Sequence, residues 1–420
     1  MSPVRPTVQV VGERLDPAAH RVRDFLTRVA QPHEWVEAGS SEADDLLAAH
    51  ALEDAALPVV IDGEDAFQGA TVAGLVEAWG HADPPARSHY DVAIVGAGPA
   101  GLAAAVYAAS DGLATLVLEH DVPGGQASHT SMIENFFGFP EGIGGAELAR
   151  LAGRQAERFG AEVMVMRGVE GAAHGAREHR LRLQGGIEVT AAVVLAAAGM
   201  VWRRLEIEGL DDLVGRGVYY GAGRSEAAQC AGDDVIVVGA GNSAGQAVLN
   251  LANANARVRM LVRGEALGKT MSAYLVDRIR DHPLVDVRLR TQATAVEASD
   301  GRLAAVAIEE ADGAGELCPA EALFVCIGGT PRTGWAADVG VRLDAAGYVL
   351  TGPDLLSDGQ RPVGWPLERD PLALETSVPG LFAAGDIRHG STKRVAGAVG
   401  EGAMAAALAY RRLTELEAGA

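Results

Sequence analysis

The sequence predicts an α/β protein: two Rossmann-like dinucleotide-binding units with a smaller α/β unit ahead of them. Three observations carry this expectation. A buried strand, Tyr90-Asp-Val-Ala-Ile-Val95, runs into the glycine-rich turn Gly96-Ala-Gly-Pro-Ala-Gly101 and then into an alanine-rich helical stretch. The same order returns at Asp234-Val-Ile-Val-Val238, which runs into Gly239-Ala-Gly-Asn-Ser-Ala244 and a second helical stretch. Across the first eighty or so residues, short β-rich runs alternate with helical periods, the pattern of an α/β layer.

The leading unit reads in order as a strand over residues 7–11, a helix over 17–29, a strand over 34–37 and a helix over 42–52. A strand over 57–61, a short strand near Phe67 and a helix over 72–79 complete it. The polar, proline-bearing stretch 81–88 reads as a linker. Residues 1–88 hold 15 Asp and Glu against 6 Arg and no Lys, so −9 of the total formal charge of −21 sits in about a fifth of the chain. That concentration marks the segment as a separate unit. Its charged cluster from Glu13 to Asp24 reads as a solvated helix face.

The charge balance excludes nucleic acid as a partner, because phosphates require a basic face, and disfavours anionic membrane surfaces. No apolar run reaches the roughly 18–20 residues of a membrane span, and the amino terminus lacks the apolar core of a secretory signal. Cys230, Cys318 and Cys326 have no metal-ligand spacing and are too few for a disulfide framework. The expectation is a cytoplasmic protein with no metal.

The first glycine-rich turn has the context that gives such a motif meaning: a strand before it, a helix after it, and Glu119 closing the next strand 23 residues beyond Gly96. Gly96, Gly98 and Gly101, with Pro99 and Ala100 between them, let the backbone approach a pyrophosphate at the helix N-terminus. Glu119 is placed to accept hydrogen bonds from ribose hydroxyls. In the second turn, Gly239, Gly241, Asn242, Ser243 and Ala244 take the same part. Arg263, 24 residues past Gly239, is a base where NAD-binding folds place an acid. Arg263 with Lys269 favours the 2′-phosphate of NADPH, with NADH as the alternative. After this unit come strands over 285–289, 293–298, 304–309 and 322–327, a proline-rich irregular loop over 353–371, and a closing helix over 395–413.

Two further stretches carry a resemblance. Pro123-Gly-Gly-Gln126, followed by Ile133-Glu-Asn-Phe-Phe-Gly-Phe-Pro140, resembles the flavin-contacting segment of low-molecular-weight thioredoxin reductases. Ala383-Ala-Gly-Asp386 followed by Lys393-Arg-Val-Ala396 is similar to their carboxy-terminal FAD motif. The resemblance covers about residues 90–413. It implies FAD and NADPH as cofactors, a homodimer, and an FAD unit (89–202 and 328–420) interrupted by a nicotinamide unit (203–327). It further implies that Gly385, Asp386 and Lys393 serve the ribityl-phosphate region and that Arg394, Val395 and Ala396 lie along the flavin ring. Gly125, Gln126 and Asn135 would approach the ring from the other side, with further contacts at Val169, Ala198 and Gly199. Residues 196–199 read Ala-Ala-Ala-Gly where the family has a threonine, a loss that matters little for a backbone contact.

The family's redox-active cysteine pair lies just upstream of the nicotinamide turn. Here the matching stretch runs from Val218 to Cys230, and the cysteine positions, around residues 221–225, hold no cysteine. Disulfide reduction through that motif needs one thiolate to attack and a neighbour to resolve the mixed disulfide. The leading unit, over residues 1–84, similarly looks like a glutaredoxin or thioredoxin fold whose dithiol stretch, near residues 14–19, has no cysteine. The chain looks close to bacterial reductase-like flavoproteins with such a front domain.

Electrons entering from NADPH would therefore leave directly from the flavin. The acceptor stays open between a ferredoxin, a quinone, oxygen, a thiol partner and a small metabolite, and the acidity weighs against a ferredoxin. A flavin-based sensor with little turnover and a ferredoxin-linked enzyme are the alternatives. Two side chains remain as candidates for direct chemistry: His389, a proton donor close to Asp386 in sequence, and the lone Cys230. Trp365 reads as a loop anchor.

Overall fold

The computed structural model describes residues 7–80, 83–175, 177–221, 224–269 and 271–418, with backbone only at 224 and 225. The leading unit runs β1 (Val8–Gly12), α1 (Pro17–Arg28), β2 (His33–Glu37), α2 (Ser41–Ala49), β3 (Val59–Asp62), β4 (Asp65–Phe67) and α3 (Val72–Ala78). Its sheet has the order β2-β1-β3-β4, with β1 parallel to β2 and β3 antiparallel to both β1 and β4. Asp16 caps α1, its carboxylate accepting from the Ala19 N–H at 2.7 Å, and Pro17 opens the helix.

The solvated face expected around Glu13–Asp24 is a correction. Helix α1 buries Ala19, Val22, Arg23, Phe25 and Leu26. Val22, Phe25 and Leu26 share one apolar cluster with Val8, Val60, Leu75 and, from the following unit, Val122. Of the acidic residues in this stretch only Asp24 lies within α1, and Asp16 caps it, on a helix packed on two sides.

The first large unit continues with β5 (His89–Val95), α4 (Pro99–Ser110), β6 (Thr115–Leu118), α5 (Gly145–Arg158), β7 (Glu162–Met164), β8 (Val169–His174), β9 (His179–Leu183) and β10 (Glu188–Ala196). Its sheet runs β7-β6-β5-β10-β9-β8. Strand β10 pairs antiparallel with β9 over its first half and, over its last residues, parallel with a strand from far downstream. That return of the chain is why one sheet draws on two separated stretches of sequence.

A short strand β11 (Met200–Trp202) leads into β12 (Val218–Tyr220), α6 (Arg224–Gln229), β13 (Asp234–Val238), α7 (Asn242–Asn253), β14 (Arg257–Val262), α8 (Ala273–Asp281) and β15 (Val285–Leu289). An antiparallel trio follows, β16 (Thr291–Ser299), β17 (Arg302–Glu310) and β18 (Gly315–Pro319), and then β19 (Ala322–Val325). The sheet β12-β19-β13-β14-β15 is parallel throughout. Its central strands β13 and β19 are apolar on both faces, as burial under helices and a second sheet requires, whereas β14 and the edge strand β15 carry charged residues. β18 went unread in the sequence because its Gly-Glu-Leu-Cys-Pro run has little β-propensity of its own and is held by pairing with β17.

The chain comes back through β20 (Gly329–Pro331), α9 (Gly334–Ala337), β21 (Leu381–Ala383) and α10 (Val395–Ala418). β20 pairs antiparallel with β11, so the outgoing and returning connections run side by side as one ribbon. β21 is the strand that completes β10. Trp365 donates its indole N–H to the Arg369 carbonyl at 2.7 Å, a contact inside the proline-rich loop itself.

Candidate active site

The turn after β5 is shaped by two close backbone approaches. Gly96 has φ +110°, and a Cβ there would lie 2.4 Å from the Ala197 carbonyl oxygen. A Cβ on Gly101 would lie 1.8 Å from the Gly96 oxygen, so α4 starts closer to the turn than any other residue allows. A Cβ at Gly98 would meet nothing within 4 Å. Its absence leaves open space over the N-terminal end of α4, where backbone N–H groups and the helix dipole favour an anion.

This space belongs to a cleft of about 470 Å³ at the carboxyl end of the sheet, where doubly wound sheets hold ligands. Gly98, Pro99, Ala100 and Glu119 line it from the first turn, and Gly125, Gln126 and Asn135 from the loop after β6. Ala198 and Gly199 contribute from the end of β10, and Gly385, Asp386, Lys393, Arg394 and Val395 from the carboxy-terminal segment. Asn242 and Ser243 reach it from the second glycine-rich turn. Residues as far apart in sequence as Gly98 and Val395 thus meet in one cavity.

Glu119 is buried at 5 % exposure. One carboxylate oxygen accepts from the Ala97 N–H at 2.7 Å; the other accepts from the Asp121 N–H at 3.0 Å and lies 2.8 Å from His120 Nδ1. Burial pushes its pKa up, but the hydrogen bonds from His120 and the two backbone groups outweigh it and hold the carboxyl below its ordinary range. Burial raises the Asp386 carboxyl, against the pull of Lys393. Lys393 Nζ donates to the Asp386 carbonyl at 2.6 Å and stands 4.3 Å over the Tyr348 ring. Glu401 fixes the Gly385 turn by accepting from its N–H at 2.7 Å and from Arg388 at 2.6 Å. Gln126 donates from Nε2 to the Met200 carbonyl at 3.1 Å, tying the loop to β11.

The remaining expected residues stand elsewhere. Gly96, Gly101 and Ala396 shape the turns without lining the cleft, and Gly239, Gly241 and Ala244 do the same for the second unit. A Cβ on Gly239 would meet the Cys326 oxygen at 2.3 Å. Arg263 and Lys269 are exposed beyond β14, away from the cleft. Val169 pairs with Leu183 and packs against the core cluster of Leu118 and Leu183. It is a sheet residue rather than a wall of the cleft.

Both candidates for direct chemistry also fall outside the walls. His389 is bound to Asp344, Nδ1 to Oδ2 at 2.7 Å, because the backbone turns outward after Ile387. Cys230 is buried among Tyr219, Ala227 and Val248. Burial, with Asp233 nearby, pushes its thiol up to about 12, leaving it protonated and inert. Cys230→Ala is expected to leave acceptor reduction unchanged and to cost about 1 kcal/mol of stability, measured by steady-state turnover and urea unfolding. Of the stretch expected to align with the family's cysteine pair, residues 222–223 lie outside the described residues.

Sequence reasoning missed several walls of the cleft. His20, Asp24 and Arg28 come from α1, His129 from the turn after Gln126, and Trp202, Tyr219, Tyr220 and Glu226 from β11, β12 and α6. The tyrosine-ended strand was the only local signal among them; the α1 residues announce themselves only once the units pack. Asn242 plays a second, unforeseen part. Its amide accepts from the Ser272 N–H at 2.8 Å and donates to the Ser272 hydroxyl at 3.1 Å, joining the starts of α7 and α8. Among the described residues no group of three or more His, Cys, Asp or Glu is placed to hold a metal, and no helix is long and apolar enough to cross a membrane.

Comparison with known proteins places this geometry. Residues 90–402 match the family described as Pyridine nucleotide-disulphide oxidoreductase. Thioredoxin reductase of Bacillus subtilis is 30% identical over 332 residues, covering 78% of this chain and 96% of that protein. Thioredoxin reductase of Treponema pallidum is 32% identical over 338 residues, covering 79% and 99%. The crystal structure of Lactococcus lactis thioredoxin reductase in its FR conformation superposes with a TM-score of 0.69 at 28% identity, covering 78% of this chain and 99% of that one. Bacillithiol disulfide reductase of Staphylococcus aureus shares the fold alone, with a TM-score of 0.62 at 18% identity, over 78% and 99%. The chain belongs to the pyridine nucleotide-disulphide oxidoreductase family and is an oxidoreductase of the thioredoxin reductase-like kind.

Proposed function

We propose that the protein carries electrons from NADPH through FAD to an acceptor without a dithiol in between. The observation that supports this most is the single cleft in which the open space at Gly98, the buried Glu119 and the Asp386–Lys393 turn come together. These residues fit FAD: Gly98 and the α4 N-terminus would take its pyrophosphate, Glu119 a ribose, and Asp386 the ribityl region. Gly125, Gln126, Asn135, Ala198, Gly199, Arg394 and Val395 would surround the ring. When bound, FAD supplies the two-electron chemistry that links a nicotinamide to an acceptor. The chain's own part is to bind, orient and shield.

Asn242 and Ser243 would bring the nicotinamide into the same cleft, with Arg263 and Lys269 on its 2′-phosphate. Exposed as they are, these two bases give a modest grip, so NADH would be used less well rather than refused. Arg263→Ala is expected to raise the KM for NADPH about tenfold, equivalent to about 1.4 kcal/mol, with kcat and the NADH rate nearly unchanged.

In this reading residues 1–84 form a thioredoxin-like unit without redox cysteines, a reading supported by the β2-β1-β3-β4 order and its strand directions. Residues 89–202 and 328–420 form the FAD unit and 203–327 the nicotinamide unit, joined through the β11–β20 ribbon. A homodimer follows from the family pattern.

The proposal is tested by isolating the protein and mixing it anaerobically with NADPH or NADH while following flavin absorption. Rapid bleaching by NADPH supports it. A yellow protein that neither nicotinamide bleaches would favour a ferredoxin-linked or sensing role instead.

A further inference from the structure

Helix α1 belongs to the leading unit, yet it touches both nucleotide-binding units. On the side of the first, Arg28 lies 2.8 Å from Asp121 and donates from Nε to the Ser128 hydroxyl at 3.2 Å. Asp24 stands 3.6 Å from His129 Nδ1, and Val122 is buried in the same apolar cluster as Val22, Phe25 and Leu26. On the side of the second, the His20 ring lies 5.0 Å from that of Tyr219 and its Nδ1 is 3.5 Å from Glu226. Arg14, just before the helix, pairs with Asp233. A Cβ on Gly215 would lie 3.0 Å from the Pro17 Cα. Arg28 is only 11% exposed and Glu226 only 7%, so the contacts of Arg28 and His20 are enclosed, whereas the Arg14–Asp233 pair is half-exposed.

We propose that α1 is a built-in wall of the cleft, one that holds the two nucleotide-binding units together throughout turnover. The proposal rests on the flavin reading given above. The helix lies against Gly215, Tyr219 and Glu226, in and just before the stretch that the resemblance aligns with the dithiol. The helix lines the cleft itself through His20, Asp24 and Arg28. A wall pinned to both units also fixes their relative orientation, which the paired β11–β20 ribbon alone would leave free to turn.

Two measurements on the full chain test this. Arg28→Ala is expected to speed amide exchange about tenfold in residues 120–130, the range that loss of one or two such contacts gives. A Pro17→Cys/Gly215→Cys pair, whose Cβ atoms would stand about 3.3 Å apart, close to disulfide geometry, is expected to reduce ferricyanide at the same rate linked and unlinked. Exchange unchanged by Arg28→Ala would show that α1 does not cover the site. A linked protein that keeps its flavin but loses ferricyanide reduction would show that the helix must leave in turnover. Either result overturns the proposal. The exchange measurement needs no flavin, so it decides even if the double variant fails to fold. An unlinked protein lacking visible flavin absorption would instead count against the flavin reading.

Discussion

Gly101→Ala is expected to yield protein without flavin and with a broken first turn. The added methyl would stand 1.8 Å from a backbone oxygen, that of Gly96, so neither partner can move aside as a flexible side chain could. Either α4 shifts off the sheet or the turn opens, and both destroy the cradle. Overpacking of this kind costs about 1–3 kcal/mol in an ordinary core and more against fixed backbone. Gly98→Ala is the contrasting variant. Its methyl meets no protein atom within 4 Å, so the fold should persist while flavin affinity falls about tenfold, a loss of about 1.4 kcal/mol. Visible absorption of the purified variants, beside their thermal unfolding, separates the two effects. If Gly101→Ala bound flavin normally, the tight turn would not be part of the site.

The second large effect lies far from the cleft floor. Glu375 is fully buried and gathers four donors. Arg369 meets it at 2.6 and 3.1 Å, the Leu372 N–H at 2.9 Å and the Gly380 N–H at 3.0 Å. Arg369 also holds Glu415 near the end of α10 at 2.9 Å. The network joins the proline-rich loop, the turn before β21 and the last helix, and β21 in turn delivers Asp386 to the cleft. Glu375→Ala would leave the Leu372 and Gly380 N–H groups without an acceptor and take from Arg369 one of its two carboxylates, Glu415 remaining. The expected cost is about 3–5 kcal/mol, the range for breaking a buried ion pair. It should appear as a lower urea midpoint with little change in slope. A midpoint shift corresponding to less than about 1 kcal/mol, the worth of an exposed pair, would mean the network is ornamental.

Much of this was legible in sequence wherever the signal is local. Each glycine-rich turn sits between a strand and a helix whose patterns span only a few residues, and Glu119 and Arg263 are found by counting from Gly96 and Gly239. The leading unit's elements were read to within a few residues because its β-rich runs and helical periods are local, and Asp16, Ser40 and Thr71 cap its helices in the structure. What could not be read depends on pairing across distance. β18 is a strand only because β17 lies beside it, and β21 is three residues long and completed by β10. The misplacement of His389 has the same origin, since nearness to Asp386 in sequence says nothing of the turn that swings it to Asp344. Helix α1 shows the limit most clearly. His20, Asp24 and Arg28 recur every four residues along one face, a pattern equally good for solvent, and only the packed units make it a wall.

An anaerobic reductive titration tests the account most directly, counting the electrons the protein takes up per bound flavin. With Cys230 buried and protonated and no Cys-x-x-Cys pair in the sequence, the proposed flavin would be the sole store of electrons. Uptake should therefore stop at two electrons per flavin, and Cys230→Ala should titrate identically. Uptake of four electrons per flavin, falling to two when Cys230 is replaced, would reveal a sulfur relay and contradict direct transfer.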